Sequence, residues 1–207
     1  MITNKIICVG QPKTGTKTLK KIFEQLGKTP NNDPLCPLKD NGDECIQINN
    51  GILIDTNNFF NNIDYFDKNL EMFDFFHDIP YSFNYELIDK KYPNSKFILT
   101  IRDEEEWFKS LFHYQNIPGL SNKKILNVIY HHEIIFIEHK EEVIKLYRKY
   151  NNDVITYFKK TPEKLLIINL CDKSKNESEI TKKICTFTKL NKNNNFVFPH
   201  ENSQIYP

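Results

Sequence analysis

Three short apolar runs stand out along the chain, at Lys5 to Val9, Lys96 to Ile101 and Leu165 to Leu170. Each is too short for a helix and lacks polar alternation, which is the pattern of strands covered on both faces. The stretches between them carry apolar residues at helical spacing. Leu19, Ile22, Phe23 and Leu26 fall at i, i+3, i+4 and i+7 and are followed by Gly27, predicting a helix directly after the first strand. Tyr81 to Tyr92 predicts a second helix, stopped by Pro93 and Asn94. Another opens on the acidic turn Glu104-Glu105-Glu106. Ser121 to Lys160 reads as a long helical region broken near Asn151 and Asn152, and Glu177 to Leu190 as a last helix. Thr29 to Asn50 is an irregular excursion, and Gly51 to Asp55 a candidate short strand. Asn57 to Phe76 reads as helical in parts, with Phe73, Phe75 and Phe76 as helical core residues. Apolar strands alternating with helices predict an α/β fold of three layers, αβα, with a mainly parallel central sheet. Without an internal repeat or a linker, the expectation is one domain over residues 1–207.

Composition narrows the function classes. Hydrophobic residues at 39% and charged residues at 27% give a globular balance, which excludes a disordered or fibrous chain. Lys+Arg of 28 against Asp+Glu of 27 leaves a net charge of +1, so no global field favours nucleic acid or an anionic membrane. Any anion site must be local. No apolar run approaches the roughly 20 residues that span a bilayer, and the N-terminus reads as a strand rather than a signal peptide. Five cysteines without a CxxC pair, namely Cys8, Cys36, Cys45, Cys171 and Cys185, suggest reduced thiols and a cytoplasmic setting. Arginine occurs only at Arg102 and Arg148, so an arginine inside a motif carries weight.

The densest chemistry lies in Gly10-Gln11-Pro12-Lys13-Thr14-Gly15-Thr16-Lys17-Thr18. A strand that runs through such a loop into a helix gathers backbone N–H groups and a positive helix end around one point, which suits a phosphate. The loop departs from the Walker pattern, because Thr16 follows Gly15 and the lysine comes one position later. One residue on a helix is a rotation of about 100°, so Lys13 rather than Lys17 is the cation placed for the phosphate. The bland alternative is an ordinary strand-to-helix turn with a polar start.

The run Pro12-Lys13-Thr14-Gly15-Thr16 with Thr18 and Leu19 resembles the 5′-phosphosulfate loop of sulfotransferases that use 3′-phosphoadenylyl sulfate (PAPS) as donor. Those enzymes usually carry Thr or Ser where this chain has Lys17. A second segment, Lys96 to Asp103 with Ser110 eight residues after Arg102, resembles the family's 3′-phosphate motif, in which the Arg and the Ser hold that group. A planar guanidinium can grip a phosphate bidentately. The family often has Pro where Glu104 stands here. In a third segment, Phe76-His77-Asp78-Ile79-Pro80, alignment on the proline brings Asp78 to the position of the catalytic base, with His77 one residue away. The alternative for Asp78 is a turn or helix-capping residue. The tail Phe196 to Asn202 resembles the closing segment of a small sulfotransferase subfamily, with His200 and Lys192 as its basic residues.

The resemblance implies a sulfotransferase fold akin to P-loop nucleoside triphosphate hydrolases. It implies PAPS as co-substrate without a metal, and transfer of a sulfuryl group to a hydroxyl or amine of a small-molecule, glycan or lipid acceptor. Lys13, Asp78 and His77 would be catalytic residues. Pro12, Lys13, Thr14, Gly15, Thr16, Lys17, Thr18, Arg102 and Ser110 would bind the donor. Two other readings compete: a P-loop kinase for a small molecule or nucleotide, with Asp55 as Mg²⁺ ligand, and a catalytically inactive sulfotransferase-like binding protein. His131, His132, Glu133, Glu138 and His139 have a metal-like look but lack the second His of HExxH, and read as helix surface.

Overall fold

A computed structural model describes residues 5–31, 72–78, 81–115, 130, 135–172, 174–192 and 194–200. The expected strand at Gly51 to Asp55, the excursion beyond Asn31, and Cys36, Cys45, His131, His132 and Glu133 lie outside them.

All three apolar runs are strands: β1 (Ile6–Cys8), β3 (Lys96–Thr100) and β4 (Leu165–Ile168). A further strand, β2 (Phe75–Phe76), corrects the reading of these two phenylalanines as helical core, while residues 57–71 lie outside the described ones. The four run parallel in the order β2-β1-β3-β4. Ile7 is in register with Phe76 on one side and Phe97 on the other. Phe75 and Phe76 do enter the core, on opposite faces, because successive strand side chains alternate.

Helices cover both faces. On one, Ile6 and Cys8 of β1 and Ile98 of β3 pack against Leu19, Ile22 and Phe23 of α1 (Thr16–Gln25) and Ile180 and Ile184 of α5 (Glu177–Thr188). On the other, Ile7, Val9, Phe97 and Leu99 meet Ile88 of α2 (Tyr85–Lys91) and Val154 of α4 (Lys140–Tyr157). This is the three-layer arrangement, and the near-continuous apolar strands follow from it. A third cluster joins Trp107, Phe108 and Leu111 of α3 (Glu104–Gln115) to Val143, Ile144 and Tyr147 of α4.

Helix α4 runs unbroken through Asn151 and Asn152, where the sequence predicted a break. Its stripe of Tyr147, Tyr150, Val154 and the following Phe158 is anchored in the core clusters, and this packing outweighs the weak helix preference of two asparagines. The chain ahead of α4 is interrupted at Phe136, which has extended backbone (φ −95°, ψ 168°), so His139 belongs to a short 3₁₀ turn rather than to a long helix. Behind α5, Phe198 enters the α1 face while Gln25 clamps the backbone of Val197 at 2.8 and 2.9 Å.

The sheet order puts the binding crevice in a definite place. After β1 the chain moves to β2 on one side, and after β3 it moves to β4 on the other. In such open parallel sheets, ligands bind beyond the carboxyl ends of the two strands between which the connections diverge. Here those are β1 and β3, which end in the loop Gly10–Gly15 and in Arg102.

Candidate active site

The β1 loop is held by contacts to its backbone. Gly10 touches β3 so closely that a Cβ there would lie 1.8 Å from Thr100 Oγ1. Thr14 donates to the Gln11 carbonyl at 2.6 Å and shares a second 2.6 Å hydrogen bond with Thr100. The Tyr150 hydroxyl donates to the Val9 carbonyl at 2.8 Å, Trp107 Nε1 to the Pro12 carbonyl at 3.0 Å, and Arg102 Nη1 to the Lys13 carbonyl at 3.3 Å. Tyr130 donates to the Gln11 side chain at 2.8 Å. In a trans peptide the N–H points opposite to the preceding C=O. Anchoring the Pro12 and Lys13 carbonyls on Trp107 and Arg102 therefore turns the amides of Lys13 and Thr14 the other way.

Two positive backbone angles complete the turn, φ 74° at Lys13 and φ 93° at Gly15. Gly15 is also the N-cap of α1, and it brings no capping side chain and no acidic residue into the first turn. The helix thus starts with amide donors not satisfied by a cap, the ordinary setting for an anion. Thr14, Thr16 and Thr18 are buried, whereas Lys17 is exposed on the first turn. The Thr14 hydroxyl is engaged within the framework.

Around this loop the cations gather. Lys13 Nζ lies 4.4 Å from the centre of the Tyr114 ring, a cation–π contact. Burial, followed by the nearby charges of Lys17 and Arg102, lowers the Lys13 pKa from its usual value. Arg102 leaves β3 with its backbone N–H and C=O both bonded to the Tyr147 hydroxyl, at 3.0 and 3.2 Å. Its guanidinium has a loose partner in Glu106, at 3.7 Å. Ser110 is buried on α3, three residues after Trp107 and four before Tyr114, so it shares the helix face that carries both loop contacts. Cys171, at the end of β4, closes the loop from the far side: a Cβ on Gly15 would approach its Sγ to 3.5 Å.

The β2 end brings His77 and Asp78 to the neighbouring position. Asp78 has φ 59°, a left-handed conformation that costs a non-glycine residue about 1 kcal/mol or more. Its Oδ2 lies 2.9 Å from His77 Nδ1. The His77 ring is buried against Phe75, centroids 5.9 Å apart, and its backbone N–H donates to the Asn31 side chain at 3.0 Å. Burial pushes the Asp78 carboxyl up, but His77, the Thr16 hydroxyl and the Lys17 charge outweigh it and hold the group below its usual value. Asp78 Oδ1 and His77 Nε2 are both buried and meet no hydrogen-bond partner among the described residues.

The structure thus brings Lys13, Lys17, Arg102, Ser110, Asp78 and His77 to one edge of the sheet. It adds residues to which sequence reasoning gave no role: Tyr114 under Lys13, Tyr147 on Arg102, and Tyr130, Tyr150 and Trp107 as donors to the loop. Their distance along the chain hides them, since each acts on a backbone or side-chain atom made elsewhere. In the tail, His200 pairs with Glu177 at 3.2 Å. Among the described residues, no cluster of His, Cys, Asp and Glu is placed to hold a metal ion, and no helix is long and apolar enough to cross a membrane.

A parallel α/β sheet with a cation-lined loop at its divergence point defines a class of anion-handling proteins. A sulfotransferase-domain family model matches residues 5–118, more than half of the 207 residues, and the chain belongs to this family. The matched span contains the loop, His77, Asp78, Arg102 and Ser110; α4, β4, α5 and the tail fall outside it. A search of curated proteins finds no match.

Proposed function

We propose that the protein is a PAPS-dependent sulfotransferase folded as one domain, acting on a hydroxyl or amine of a small-molecule, glycan or lipid acceptor. The observation that carries the reading is the uncapped start of α1 at Gly15, faced by Lys13 and Arg102 and built on carbonyls anchored away from the loop centre. Residues from β1 to Phe198 share one core cluster, which supports a single domain.

PAPS supplies an already activated sulfuryl group. The amides of Lys13 to Thr18 and the Lys13 ammonium would bind its 5′-phosphosulfate, with Lys17 adding charge at the rim. Arg102 and Ser110 would take the 3′-phosphate. Lys13 meets charge that grows on the leaving phosphate oxygen, so its contribution belongs to the transition state more than to binding. Asp78 would accept the acceptor's proton, while the contact of its Oδ2 with His77 orients the carboxylate. A carboxylate held low is a weak base, suited to a proton released late, after most of the bond to sulfur has formed.

Thermal shift with adenosine 3′,5′-bisphosphate and with Mg²⁺-ATP tests the donor, because stabilisation follows the ligand that binds. Stabilisation by the bisphosphate alone, unaffected by a chelator, is the expected result. Stabilisation only by Mg²⁺-ATP would reject the reading in favour of a kinase.

A further inference from the structure

We propose that Glu106 is a built-in stand-in for the donor's 3′-phosphate, occupying Arg102 when the site is free and hastening release of the bisphosphate product. The inference rests on the assignment of Arg102 to that phosphate.

The α3 stripe Glu106, Ser110 and Tyr114, at i, i+4 and i+8, spans from Arg102 past β3 to Lys13 of the loop. Tyr114 carries Lys13, and Glu106 lies 3.7 Å from Arg102 Nη2. Ser110, the expected second ligand of the phosphate, sits between them. The three acids of the first turn are not equivalent. Glu104 grips Arg148 through two hydrogen bonds, at 2.9 and 2.5 Å, and Glu105 pairs with Lys140 at 2.6 Å. Both tie α3 to the α4 region. Among the described residues, the Glu106 carboxylate makes only loose contacts, with Lys109 at 3.3 Å and Arg102 at 3.7 Å, and is half exposed.

Burial lowers the Lys13 pKa first, and the charges of Lys17 and Arg102 lower it further, so like charge crowds this ammonium in the free site. Two carboxylates offset them: Asp78 from the β2 side and Glu106 from α3. A phosphate dianion that engages Arg102 through Nη2 must share that nitrogen with Glu106 or displace it. In either case the like charges raise the dissociation rate of the bound nucleotide, which matters where product release limits turnover.

The test compares wild type, Glu106→Gln and Glu105→Gln by calorimetry and stopped-flow dissociation, with adenosine 3′,5′-bisphosphate and 5′-AMP as probes. Glu106→Gln should bind the bisphosphate about three- to tenfold tighter, mainly through slower dissociation, with 5′-AMP affinity unchanged. Glu105→Gln should leave both ligands unaffected. Unchanged or weaker bisphosphate binding by Glu106→Gln overturns the inference, as does an equal gain for 5′-AMP. A shift in melting temperature without the selective gain would make Glu106 a helix residue only. Wild type binding the two nucleotides equally would instead reject the assignment of Arg102, and the inference with it.

Discussion

The ends of β1 and β2 lie side by side on one edge of the sheet, yet they are held in opposite ways. Past β1, the carbonyls of Val9, Gln11, Pro12 and Lys13 all accept side-chain donors, from Tyr150, Thr14, Trp107 and Arg102. Past β2, Asp78 sits at φ 59° with one buried carboxylate oxygen unpaired among the described residues, and the buried Nε2 of its His77 partner is unpaired too. The first region is a finished framework whose remaining capacity is for an anion. Both regions hold a non-glycine residue at positive φ, Lys13 at 74° and Asp78 at 59°, but the second also keeps unsatisfied buried polar atoms, which native proteins concentrate where a substrate is handled. Under the proposed function, donor binding and acceptor chemistry would rest on different kinds of local energetics.

The contrast can be broken most severely at Gly10. Gly10→Ala drives a methyl into Thr100 and should cost about 3 kcal/mol or abolish folding, read by urea denaturation. An unchanged midpoint would mean that β1 and β3 are not in the described contact. Arg102→Ala should weaken adenosine 3′,5′-bisphosphate by about 2 kcal/mol, roughly 30-fold, and Arg102→Lys should recover only part of it, because the fork is lost. Calorimetry showing no loss would remove Arg102 from the site. Trp107→Phe gives up the bond to the Pro12 carbonyl and some packing on Tyr147, for a stability loss of about 1–2 kcal/mol. It should also weaken the bisphosphate several-fold, and normal binding would show that the loop holds its shape without Trp107.

The smallest effect belongs to Asp78. Its folded pKa lies below the ordinary 3.8, so the stability it contributes is present above that value and is lost as the pH falls through the lower folded one. Asp78→Asn should therefore flatten the acid limb of the stability curve while leaving bisphosphate affinity unaltered. Loss of nucleotide binding in this variant would merge the two regions into one.

The same contrast explains what was legible in the sequence. The apolar runs of β1, β3 and β4 and the stripe of α1 could be read because burial on fixed faces writes a local period. The placement of Lys13 and Arg102 just past strands could be read because each lies in a short contiguous motif. Phe75 and Phe76 escaped, since a two-residue strand has no period and a run of aromatics suits a helix core equally. The asparagines of α4 misled because a helix anchored by Tyr147, Tyr150 and Val154 tolerates them. Tyr130, Tyr150 and Trp107 were invisible as loop supports, as only the folded chain brings them to residues more than ninety positions away.

The central position of β1 also bears on how the chain is made. Its registers are with Phe75 and Phe76 on one side and Lys96 to Ile98 on the other, so the strand leaves the ribosome long before either partner exists. At synthesis rates of about 5–20 residues per second, Ile6 to Val9 waits roughly 5 to 20 seconds for β3. During that interval an apolar segment with unpaired amides is available to chaperones or to other nascent chains. Slowing translation between β1 and β3 should lower soluble yield more than an equal delay after β4.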